Sequence, residues 1–332
     1  MRSLQDSKKT WVTVQVVGGL VLAALLGWLL VRGLEWSPFV RHIRDFPMDT
    51  LAAALAAFLA AILLRALRWY ILIRGERISF LRLFLIQNAG VGLNNLSPVR
   101  VVSEPLQLAL ITRRGGISGA TALATLAMEH MMDVFATAAL LGLGVLLLPE
   151  LRGFSIQLLG AVVFSVVSLI IFLLIAKGMD FVPGVRRIRF LQTAIAATKN
   201  LGGSPWRLAL SFAGTLGYWA LIGLSGWITA NALGIHVGVA AVVVLFVGSV
   251  FIVAAVPSPP GGAVTFEATV VFTLGKFGVG SETALAFAIV MHLIMFLPST
   301  LIALAVLPRE GIKMFGRKDP TVVVDQSGKE VI

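Results

Sequence analysis

Arg100 and Glu104 stand four residues apart in the stretch NNLSPVRVVSEP (94–105), polar residues set between apolar runs. Arg100 lies just before the second run, and Glu104 falls in its first turn. A helix that begins inside a membrane exposes free N–H groups and the positive end of its dipole. With Arg100 beside it, such a start suits a phosphate group. Glu104 then receives a cationic group, or closes the turn by pairing with Arg100. Asn88, Asn94 and Asn95 fix the shape of the tip, and Asn95 is also placed to touch a head group.

Glu129 and Asp133, in LAMEHMMDV (126–134), are four apart and share one helical face. Two carboxylates on a buried face need a cation, a proton or an arginine, and Arg65, Arg68 and Arg100 are the candidates. A di-metal carboxylate site is disfavoured, because it uses Glu-x-x-His and His130 follows Glu129 directly. The plainer reading is an ion pair inside a bundle. Glu267 follows Pro259, Pro260, Gly261 and Gly262, where prolines end one arm and glycines permit close backbone approach. Glu267 is then a ligand or a simple helix-start charge. His292 is a proton relay or a hydrogen-bonded structural residue. Arg65, Arg68, Trp69 and Tyr70 read mainly as an interfacial anchor at the cytoplasmic end of a span.

The elements that must hold these residues are membrane helices. Apolar residues make up 58% of the 332 and charged residues 13%, against about 25% charged in a soluble domain. Long apolar segments at 11–31, 48–73, 117–148, 154–176, 206–233 and 281–307 can each cross a hydrocarbon core of about 30 Å. Two more apolar regions, 79–112 and 238–276, are broken at NNLSPVR and VPSPPGG. Basic residues flank both ends of the first, so it leaves from and returns to one side as a re-entrant hairpin; the second does so from the other side. With both termini cytoplasmic, 21 Lys and Arg fall inside, 5 outside, and Arg100 at the tip completes the 27. The expected fold is therefore an all-α integral membrane protein of about six full transmembrane helices plus two re-entrant helical hairpins. Residues 1–10 form a cytoplasmic N-terminus, 11–307 one polytopic domain, and 308–332 a basic cytoplasmic tail. The unit 48–148 and the unit 206–307 form an inverted repeat, whose interrupted segments point to a mid-membrane site.

Other readings are excluded. The net charge of +11 lies in short loops, where it sets orientation rather than binding nucleic acid. There is no cysteine, and no HExxH, phosphate-loop or GxSxG motif. No cofactor or metal site is expected. The N-terminal run is an uncleaved span, and 185–201 a basic amphipathic helix on the inner leaflet.

Four motifs in order resemble the transmembrane region of the lysylphosphatidylglycerol synthase/flippases, the flippase-like or UPF0104 family. They are Arg68-Trp69; Asn95-Leu96-Ser97-Pro98-Val99-Arg100 with Ser103-Glu104; Glu129-His130-Met131-Met132-Asp133; and Pro260-Gly261-Gly262 with Glu267. Ser103 replaces the family's usual Gly, His130 its usual Arg, and Gln107 a frequent basic residue. The resemblance implies a plasma-membrane lipid translocator without the soluble transferase domain of bifunctional relatives. Its expected partner is a membrane phospholipid or lipid-linked head group, bound by Asn95, Pro98, Arg100, Glu104, Glu129, Asp133, Gly261, Gly262 and Glu267. The alternatives are the membrane subunit of an aminoacyl-phospholipid synthase, working with a separately encoded synthetase, and a scaffold for lipid synthesis. Homo-oligomerisation stays open.

Overall fold

The structure, a computed structural model, describes residues 2–73, 76–97, 103–114, 117–148, 205–255 and 259–312, a few positions within 159–167, and strand residues 323–324 and 330–331. Pro98, Arg100, the segment 185–201 and most of the expected span 154–176 lie outside the described residues.

Ten helices carry the described fold. They are α1 (Arg2–Val31), α2 (Trp36–Arg44), α3 (Met48–Leu72), α4 (Phe80–Leu96), α5 (Ser103–Arg114), α6 (Gly119–Leu147), α7 (Pro205–Ala232), α8 (Val239–Ala255), α9 (Thr265–Gly275) and α10 (Ser281–Val306). α3, α6, α7 and α10 are each long and apolar enough to cross a membrane, and α1 with α2 would make a fifth span if that bent pair is one. The protein is a multi-span, all-α membrane fold. Local chemistry sets several boundaries. Ser79 caps α4 by accepting from the Arg82 N–H at 3.3 Å, and Ser118 caps α6 by accepting from Thr121 at 3.1 Å. Ser97, forced extended by the following proline, ends α4.

Both broken regions fall where the sequence puts them. The first gives the short helices α4 and α5, which pack on each other; the second gives α8 and α9, which do the same. Between α8 and α9, Pro260–Gly262 forms a 3-10 turn in which Gly261 and Gly262 take φ of 67° and 78°. Val264 follows at φ 68°, the single non-glycine residue with positive φ among those described. For a β-branched side chain that is a strained backbone.

The neighbour relations of the two units match one another. Exchanging α3 for α7, α4 for α8, α5 for α9 and α6 for α10 turns each main contact among these eight helices into another observed one. α4 against α10 becomes α8 against α6, α5 against α6 becomes α9 against α10, and α3 against α7 maps onto itself. A pseudo-two-fold relation requires this pattern. The α3–α7 contact at its centre is made close by small residues. A Cβ at Gly217 would stand 2.8 Å from Leu64, and one at Gly214 3.2 Å from the Arg68 Cβ. In lipid, where burial between helices has no hydrophobic drive, such close packing supplies the association energy.

The segment 32–45, between the apolar runs 11–31 and 48–73, holds α2, set at 97° to α1. Trp36, Val40 and Ile43 line one exposed face, and the last turn carries Arg41, His42 and Arg44. The helix is tied to the start of α10, because the Glu35 N–H donates to Glu282 and His42 meets Thr283. Its two arginines, Arg41 and Arg44, concealed its apolar period.

Candidate functional site

Polar groups inside the bundle gather in two places joined by α4. The first centres on Arg68 of α3. Its Nη1 meets Asp133 Oδ1 at 2.6 Å and its Nη2 meets Oδ2 at 2.8 Å, a forked pair. Nη2 also lies 3.0 Å from Glu129 Oε1, and Nη1 donates to Thr215 at 2.7 Å. Gln87 of α4 donates to the same Glu129 oxygen at 2.9 Å. Thr215 in turn donates to the Ser211 carbonyl, and Ser211 to the Arg68 carbonyl. One guanidinium therefore ties α3 to α6 and α7. The reading of Arg68 and Trp69 as an interfacial anchor is overturned. Both are fully buried, and the Trp69 indole donates to Thr125 at 3.2 Å. Buried acids on α6 demanded a cation from inside the bundle, and the Arg68–Trp69 face turns towards them. Of the three arginines considered as partners, Arg68 takes both carboxylates.

Arg65, one turn before Arg68, is different. It makes no ion pair among the described residues, although its Nε, like that of Arg68, is buried without a hydrogen-bond partner. Its guanidinium stands 5.8 Å from the Tyr218 ring and acts electrostatically on Glu104 and Glu129. Glu104, at the start of α5, pairs with His130 of α6 at 3.4 Å, with about half of each side chain accessible (42% and 50%). Ser103 beside it accepts from Gln107 at 2.7 Å. These two pack on Gly90 of α4, where a Cβ would stand 2.7 Å from Gln107 Cγ.

The second place is the junction of the two breaks. The Asn95 side chain, near the end of α4, donates to the Phe296 carbonyl at 3.3 Å and to Thr300 at 3.1 Å. Its own carbonyl faces Gly261, 3.5 Å from where a Cβ would be, while the Phe296 ring fills the rest of that space. Glu267 of α9 meets His292 Nδ1 at 2.5 Å, and His292 Nε2 lies 3.2 Å from the Gly261 carbonyl. Phe266 and Phe296 flank the His292 ring. Eight residues of α4 separate Gln87 from Asn95, about 12 Å along the axis.

Over residues 16–303 the chain matches the profile described as the lysylphosphatidylglycerol synthase TM region. The chain belongs to that family, the flippase-like UPF0104 proteins. It is also similar to a UPF0104 membrane protein of Methanothermobacter thermautotrophicus, 23% identical over 298 residues, covering 83% of this chain and 87% of that one. His130 holds Glu104. Ser103 and Gln107 satisfy each other against Gly90.

Of the expected site residues, Glu129 joins Asp133 on one cation, Glu104 stands beside them through His130, and Asn95 joins Gly261, Gly262 and Glu267 at the second place. Asn88 accepts from Ser299 and donates to the Phe84 carbonyl, so it fixes α4 to α10. Sequence reasoning missed Gln87, Thr215 and Tyr218. A glutamine or threonine in an apolar run is the usual trace of an interhelical hydrogen bond, and Tyr218 is one of only two tyrosines.

Proposed function

We propose that this protein moves a phospholipid or lipid-linked head group between leaflets through a site at the middle of the bundle. The observation that carries the reading is Arg65. Arg68 is spent on Glu129 and Asp133, whereas Arg65, within the same span, holds no carboxylate among the described residues. A charged side chain within a span is costly unless it is paired or serves a ligand. Arg65, with Arg100 and the N-terminal ends of α5 and α9, offers positive charge to a head-group phosphate. Glu104, half exposed, offers negative charge to an amine, while Glu129 and Asp133 hold Arg68. Asn95, Pro98, Gly261, Gly262 and Glu267 form the floor where the two breaks meet.

The two broken regions act as re-entrant hairpins in this reading, within six full spans and an inverted repeat. Rocking of one unit against the other would expose the site to each leaflet in turn. Both termini lie on the cytoplasmic side.

The test is leaflet exchange in proteoliposomes, with head-group-labelled neutral, anionic, zwitterionic and aminoacylated lipids. Wild type should exchange one class selectively, and Arg65→Gln and Glu104→Gln should lose that exchange while remaining folded. No exchange of any lipid by folded wild type would sink the translocator and favour a synthase subunit or scaffold. Full exchange by both variants would sink the assignment of the site.

A further inference from the structure

The short helix α2 divides its surface into strips of different chemistry. At about 100° per residue, Trp36, Val40 and Ile43 fall on a strip about 60° wide, and all three are exposed. Arg44, Ser37 and Arg41 form a second strip, centred about 110° round from the first. Phe39 and His42 form a third, about 90° round the other way. This third strip faces the protein: His42 meets Thr283 at 3.2 Å, and Phe39 packs on the main apolar core. The Glu35 N–H, just before α2, donates to Glu282 at 3.3 Å. Protein contacts with the start of α10 therefore set the rotation of α2, and they leave its apolar and basic strips facing away.

The direction of α2 is equally defined. It stands at 97° to residues 17–31 of α1, so where α1 crosses the bilayer, α2 runs along the surface. The end of α1 carries the marks of that surface, because Arg32 stacks 4.9 Å from the ring of the exposed Trp28. A helix at that depth beside a protein wall has hydrocarbon beneath it, head groups on its free side and water above. The strips meet these directions in turn: apolar beneath, basic beside, and Asp45 at the C-cap opposite the apolar strip. An open hollow of about 540 Å³ is lined by Trp36, Ser37, Val40, Arg41, Arg44 and Asp45. Neither arginine makes an ion pair among the described residues. Basic residues are disfavoured outside, yet Arg32, Arg41 and Arg44 are three of the five that the expected topology puts there.

We propose that α2 lies in the plane of the interface and binds an anionic phospholipid of the bilayer. Arg41 and Arg44 hold its phosphate, and an acyl chain runs along Trp36 and Val40. The planar fork of a guanidinium matches phosphate oxygens, and an amphipathic helix in the interface sinks its apolar face just below the head groups. Both demands are met within nine residues, on one continuous surface. A soluble phosphate ester would satisfy the arginines and leave Trp36 and Val40 bare, whereas a phospholipid covers both. The site is separate from the one proposed for translocation and does not depend on it.

The experiment uses the full chain in vesicles of phosphatidylcholine and phosphatidylglycerol. Ile43→Cys, in a chain with no native cysteine, carries a bimane fluorophore on the apolar strip. Quenching by brominated phosphatidylglycerol is compared with quenching by brominated phosphatidylcholine at the same low mole fraction. One arginine at an anionic surface enriches the lipid about fivefold, so phosphatidylglycerol should quench more strongly by about fivefold or more. Adding Arg41→Gln and Arg44→Gln, both exposed positions that leave the fold intact, should make the two lipids equal while both still quench. Equal quenching with the arginines present overturns the anionic-lipid site. No quenching by either lipid overturns the interfacial placement and the site with it. An undiminished preference in the folded double-arginine variant overturns the assignment to Arg41 and Arg44.

Discussion

Arg68 holds Asp133 with both terminal nitrogens, at 2.6 and 2.8 Å, while Arg65 one turn away holds no carboxylate among the described residues. Two arginines of one helix thus carry different duties. Removing Arg68 leaves Glu129 and Asp133 facing each other without a cation, which costs about 3–5 kcal/mol for a broken buried pair. Arg68→Gln should therefore lower unfolding stability in detergent by that order, and Arg65→Gln by well under about 1 kcal/mol. Equal losses in the two variants would show that Arg65 is a structural residue and count against its role at the site.

The chain has no native cysteine, so single cysteines report topology without background. A re-entrant α4–α5 pair puts Arg77→Cys and Arg113→Cys on the same face of the membrane. An impermeant thiol reagent should label both from one side only. Labelling from opposite sides would mean that the broken region crosses.

Gly90 lies under the Ser103–Gln107 pair, with 2.7 Å between a notional Cβ and Gln107 Cγ. Gly90→Ala should push α5 from α4 and cost about 1–3 kcal/mol, the usual range for overpacking. Adding Gln107→Ala should recover much of that loss. If the double variant is no better than the single one, these two helices do not pack in this way.

Gly261 and Gly234 both have positive φ, 67° and 70°. Only Gly261 also has a ring, that of Phe296, in the space a methyl group would take. Gly234→Ala should cost about 1 kcal/mol from backbone strain alone. Gly261→Ala should cost about 1–3 kcal/mol more through overpacking, and Phe296→Leu should relieve part of the excess. Thermal unfolding of the four proteins decides this, and equal losses at the two glycines would reject the close packing of the two breaks.

Sequence alone determined the membrane class, the extent of the long helices α3, α6, α7 and α10, and the position of both breaks. Each of these is a local property: apolar run length against bilayer thickness, and proline or glycine that no helix interior accepts. The shared face of Glu129 and Asp133 was equally legible, because four residues along one helix fix it. Which cation they would take was not. Arg65, Arg68 and Arg100 were equivalent as letters, and the close α3–α7 contact decided between them by turning Arg68 inward. The α2 helix was hidden because its two arginines masked the apolar residues Trp36, Val40 and Ile43, spaced four and then three apart. The partnership of Glu104 with His130 and of Glu267 with His292 was also out of reach. Each pair joins residues 25 or 26 positions apart on separate helices, and only packing sets which faces of two helices meet. Local patterns fixed the pieces of this protein, and tertiary contact chose the partners of its charges.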